Sequence, residues 1–162
     1  MRPETWHPLF AHFPIALLAL TPLVYGVFVV LTHLNREESS QAHFLARFLL
    51  WGGLLSYLPS LFLGDIAFDE AKKAVCDLTP IFAHEDHAQI TLYFFLTAAT
   101  GDMGQDWFKQ GWSRWFKKSW LPWISLVFML VGLVFLIKTG HDGAELVYEH
   151  GAGVQGYSRE CQ

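Results

Sequence analysis

Charge is scarce in this chain of 162 residues: Asp, Glu, Lys and Arg together make up 16%, where an ordinary soluble domain carries about 25%. Positive charge is scarcer still, with 11 Lys and Arg against 15 Asp and Glu and no long basic run, which excludes a nucleic-acid-binding surface. No phosphate-cradling loop, dinucleotide fingerprint or nucleophile elbow occurs, so the common soluble-enzyme chemistries have no signature here. Cysteine is nearly absent. Cys76 and Cys161 allow a single pairing and leave open one disulfide or two free thiols.

What fills the chain instead is apolar: 52% hydrophobic residues, 16% aromatic, and a mean hydropathy of +0.28. Four apolar stretches, about 8–31, 44–67, 82–101 and 120–138, each approach the ~20 residues that cross a bilayer. The third is the weakest, because its mainly apolar part starts only at Ala88. The predicted fold is therefore all-α: one integral membrane domain over 1–162, a four-transmembrane-helix bundle with a lipid bilayer as its first partner. The first span reads as a retained helix, since its apolar run is long and no basic cluster precedes it.

Four spans place both termini on one side. The connections on the other side and their edges hold Arg36, Arg47, Lys109, Arg114, Lys117 and Lys118, four of them in one short segment, so the positive-inside rule puts the termini outside. That segment, "DMGQDWFKQGWSRWFKKS", spaces Trp107, Phe108, Trp112, Trp115 and Phe116 helically opposite most of its cations. It predicts a short amphipathic interfacial segment between helices 3 and 4; an aromatic belt joining two spans accounts for it nearly as well. With the termini outside, Cys76 and Cys161 share the side where oxidation is permitted. The tail 139–162 is polar and glycine-dense, which predicts that it leaves the helix in tight turns, with Leu146, Val147 and Tyr148 folding back as a lid.

Histidine carries the chemistry. Of eight, six fall at one end of such a bundle: His7 and His12 open the first span, His84 and His87 the third, and His141 and His150 follow the fourth. His7 and His12, five apart, point roughly 140° from each other on a 3.6-residue helix, whereas His84 and His87 share a face. Ionisable groups at membrane depth usually face the bundle interior, where they ligate, pair or relay protons. One reading is bis-histidine haem b between facing helices, with His12 and His87 as axial ligands and His7 and His84 as a second pair or supporting groups. A second is a zinc, copper or non-haem iron site, since Glu4, Glu85, Asp86, Asp142, Glu145 and Glu149 keep company with the histidines. A third is interfacial histidine bonded to backbone carbonyls such as that of Phe10, which Pro14 leaves without its helical donor. Asp65, ending the second span on the same side, is a candidate partner for a ligand imidazole. The small residues Gly52, Ser56, Ser60 and Gly64, spaced by four, suit either a flat macrocycle or close helix packing.

The motifs "HPLFAHFPIALL" at 7–18, "GDIAFD" at 64–69, "HAQI" at 87–90 and "GHDGAELVYEHGAGV" at 140–154 resemble the DUF2231 family of predicted four-helix bacterial membrane proteins, in order over nearly the whole chain. Two departures stand out: Ala144 where the family's "GG-x-LVY" turn has a second glycine, and the "HED" run beginning at His84. The resemblance implies a multi-pass protein of the bacterial inner (cell) membrane and family-typical positions at His7, His12, Asp65, His87, Tyr148 and His150. Some members look like haem-bearing redox subunits. The expectation is thus an electron-transfer subunit rather than a free-standing enzyme, carrying one haem b or two. It would pass electrons between a periplasmic redox partner, a cytochrome c among the candidates, and quinone or another subunit of a respiratory complex. The alternatives are a metal-ion binding membrane protein and a cofactor-free structural anchor. Basic residues for haem propionates are few, Arg2, Lys72, Lys73 and Lys138 with Arg159, which favours one haem over two.

Overall fold

A computed structural model describes residues 6–111, 120–152 and 154. Four helices account for nearly all of them: α1 (Trp6–His33), α2 (Ser39–Ala74), α3 (Thr79–Gly111) and α4 (Leu121–Tyr148). α1, α2 and α4 are long and apolar enough to cross a membrane. α3 is long enough, but its polar opening "HEDHAQ" and its Asp102 and Gln105 lower its hydropathy. The sequence-predicted interfacial segment overlaps the end of α3, and its residues 112–119 lie outside the described residues.

The helices outrun the apolar stretches at both ends. α2 has 36 residues, roughly 54 Å of helix against a hydrocarbon core of about 30 Å, so its ends stand clear of the bilayer. α4 likewise continues through Gly140 and Gly143 to Tyr148, ten residues past the predicted span. The glycines do not break it because Leu146 packs with Val75, Ile81 and Ala152 and holds the last turn in place. Its end is marked by Gly151 in the left-handed region (φ 69°), where the Ala152 and Gly151 amides donate to the Leu146 and Val147 carbonyls. Asn35, with φ 52°, ends α1 in a comparable way.

Packing is strongest within the hairpins α1–α2 and α3–α4; α4 also meets α1 and α2 meets α3, leaving α1 and α3 as the diagonal pair. The core runs through Leu18, Tyr25, Leu50, Phe95, Ala98 and Met129, all nearly inaccessible. Two glycines allow close approaches to it. A Cβ on Gly53 would stand 2.5 Å from Leu18, and one on Gly132 would stand 3.0 Å from the Phe95 ring. The opposite faces expose Phe13, Leu20, Leu23, Phe48, Leu55, Phe62, Val127 and Val134, an apolar coat fitted to lipid rather than water.

Candidate cofactor site

The starts of α1 and α3 and the end of α4 meet at one end of the bundle, which therefore gathers six histidines. His7 reaches across to α2 and donates its Nδ1–H to the Ser60 carbonyl at 2.9 Å. His84 does the same to α4, donating Nδ1–H to the Thr139 carbonyl at 2.9 Å. A carbonyl can only accept, so both imidazoles are fixed as the Nδ1–H tautomer, and each neutral ring keeps a lone pair on Nε2. No protein group among the described residues takes either Nε2. The two rings approach across the α1–α3 diagonal with centres 6.3 Å apart and planes at 88°.

Glycine makes room for both. A Cβ at Gly64 would lie 3.3 Å from His7 Cε1, and one at Gly143 would lie 3.1 Å from His84 Cε1. The stripe of small residues in α2 is filled by α1 along its length: Gly52 meets Leu17, Gly53 meets Leu18, and Ser60 and Gly64 meet His7. It is a helix-packing surface rather than an open slot.

His87 donates Nδ1–H to Asp142 Oδ2 at 2.6 Å, a charge-assisted bond tying α3 to the end of α4. His12 is exposed beside Leu9 and Phe13 and donates Nδ1–H to the Pro8 carbonyl of its own helix at 2.5 Å. With His7 turned inward, the five-residue offset turns His12 outward, away from the interior that His87 borders. Of the predicted ligands, the fold brings His7 and His84 together and does not bring His12 to His87. Asp65 is exposed, and Gly64 rather than Asp65 meets His7. Tyr148 is 87% exposed, on the last turn of α4 rather than in a lid. His150 follows that turn, with Nε2 4.0 Å from Glu145 Oε1. Cys76 is disulfide-bonded, and Cys161, the other cysteine of the sequence, lies outside the described residues.

The opposite end holds a polar cluster that the sequence reading passed over. Asp102, 1% exposed, accepts from His43 Nε2 at 2.7 Å, Arg47 Nε at 2.6 Å and Tyr25 Oη at 2.9 Å. Gln105 donates to Tyr25 Oη at 2.8 Å, and His43 stacks flat on Phe28 at 4.0 Å. The signal was available: Arg47 interrupts the apolar run "FLARFLLW", and a cation in such a run calls for an anion on a neighbouring helix.

No protein-family description, curated protein or solved structure matches the chain.

Proposed function

We propose that the chain is a membrane-embedded electron-transfer subunit that binds one haem b between α1 and α3, with His7 and His84 as the axial pair. The supporting observation is their geometry. Two imidazoles from diagonal helices stand with ring centres 6.3 Å apart, and neither Nε2 is taken by a group among the described residues. Each also donates its other ring N–H to a backbone carbonyl, the arrangement that orients ligand histidines and raises their basicity. The donor set, two neutral imidazoles on diagonal helices, suits a bis-histidine haem, which when bound supplies a one-electron couple.

The chain's own residues then have distinct tasks. The Ser60 and Thr139 carbonyls set the tautomer, Gly64 and Gly143 admit the rings, and the His87–Asp142 bond fixes the α3–α4 edge of the site. The resemblance to DUF2231 and the balance of basic residues support a bacterial inner-membrane setting with both termini periplasmic. From there the subunit would exchange electrons between a periplasmic redox partner and quinone or a larger respiratory complex.

A reduced-minus-oxidised spectrum of the protein purified from membranes tests this. Soret and α bands with one pyridine haemochrome per chain are expected. Stoichiometric zinc, copper or iron without porphyrin would replace this reading with a metal-ion one, and the absence of both would leave a structural anchor.

A further inference from the structure

Beyond the His7–His84 pair, the last turns of α4 carry a second group of metal-ligating side chains. His141 Nδ1 lies 3.9 Å from both Asp142 Oδ1 and Glu145 Oε2. Donor atoms of His141, Asp142 and Glu145 all fall within 4.8 Å of one another. His150 adds Nε2 at 4.0 Å from Glu145 Oε1. None of these separations is a hydrogen bond, so the two imidazoles and the Glu145 carboxylate do not satisfy one another. Asp142 is already oriented: His87 holds Oδ2, which leaves Oδ1 turned to His141.

We infer that this rim is a binding site for a single divalent transition-metal cation of the zinc type. Its ligands are His141 Nδ1, Asp142 Oδ1 and the Glu145 carboxylate, with the fourth position open to water. One imidazole and two carboxylates are an N/O donor set suited to zinc, three protein ligands with one open position. Ligands about 2.0–2.1 Å from a tetrahedral ion stand roughly 3.3 Å apart. Small side-chain rotations close the gap from 3.9 Å, and His141, with 77% of its side chain exposed, is free to make them. The i, i+4 spacing of His141 and Glu145 puts both on one helix face. An open cleft beside them, lined by Ala144, Tyr148 and Glu149, provides the approach. The His87–Asp142 pair then stands behind the ion as a carboxylate–histidine support.

The test is titration of the purified full-length protein in detergent with Zn2+ against a chromogenic chelator. One ion per chain is expected, with at least tenfold weaker binding in His141→Ala and in Glu145→Gln and unchanged binding in His33→Ala. Size-exclusion and circular dichroism profiles matching wild type establish that the variants are folded. Failure of the wild type to compete with the chelator, or wild-type binding by a folded His141→Ala/Glu145→Gln double variant, overturns the inference. Haem content is read on the same samples, so loss of the zinc site with the haem spectrum intact, or the reverse, separates the two proposals.

Discussion

At the Asp102 end of the bundle a single carboxylate gathers donors from three helices: Tyr25 of α1, His43 and Arg47 of α2, and Gln105 of its own α3. At the other end four imidazoles each use Nδ1, and none has its Nε2 taken by the described residues. The first arrangement closes a polar cluster on itself, as a lock between helices must, because an unpaired charge in a low-dielectric interior is costly. The second leaves lone pairs pointing away from the groups that fix them, which is how ligands are held. His43 shows that the difference is not one of residue type. It spends Nε2 on Asp102 and lies flat on Phe28.

The sharpest way to break the comparison is at Asp102. Asp102→Ala removes the carboxylate that Arg47, His43 and Tyr25 share, leaving Arg47 its bond to the backbone carbonyl of residue 102. The expected loss is about 3 kcal/mol, the low end for breaking a buried pair, because Arg47 keeps 30% of its side chain exposed. Equilibrium unfolding in detergent measures it; a loss under 1 kcal/mol would mean the cluster is not a lock. His7→Ala and His84→Ala act in the other sense. Each is expected to abolish the haem spectrum while leaving the hairpins folded, and His12→Ala and His33→Ala are expected to retain it.

Glycine substitutions sharpen the contrast. Gly53→Ala drives a Cβ into Leu18, which is wholly buried and cannot swing aside, so a net loss of about 1–2 kcal/mol is expected after the helical gain from alanine. Gly64→Ala and Gly143→Ala meet imidazole edges at 3.3 and 3.1 Å instead. They are expected to shift the spectrum or potential with little change in stability. Equal destabilisation by all three would make the histidine end a packing surface like the rest.

The helices and the gathering of six histidines were legible because hydropathy and up-down connectivity depend on the chain's local pattern alone. Helix ends were not, since apolar run length reports only the part within the bilayer, whereas α4 is carried to Tyr148 by Leu146 packing against Val75 and Ile81. The choice between His7 and His12 was equally hidden. The spacing shows that they diverge, but only the packing of α1 on Gly64 and Ser60 decides which one turns in. Asp102 was missed because a carboxylate past the end of an apolar run reads as a surface group until its partner Arg47 is placed beside it.

Ser125 offers a finer comparison within the closed end. Its Oγ is buried and has no hydrogen-bond partner among the described residues, and it lies 2.8 Å from where a Cβ on Gly101 would stand. Ser125→Ala removes an unsatisfied polar atom and is expected to raise stability by up to about 1 kcal/mol. A loss instead would show that Ser125 Oγ engages the Tyr25 hydroxyl, directly or through a buried water.

The smallest effect is expected at the open end, where Asp77 starts α3. The Thr79 hydroxyl and amide both donate to Asp77 Oδ1, at 2.7 and 2.9 Å, and hold its carboxyl below the usual carboxylate range, the hydroxyl contributing most. A depressed folded-state pKa contributes stability that is present above the unfolded value of about 3.9 and is lost as pH falls through the folded one. Asp77 is fully exposed, so the consequence is local. Amide exchange at Thr79 should quicken below pH 4 in the wild type, whereas in Asp77→Asn, which keeps an acceptor oxygen but cannot titrate, that acid dependence should vanish. An acid-induced loosening that reached the His84–Thr139 bond five residues on would show that the open end is coupled as one unit, and would weaken the contrast between the two ends.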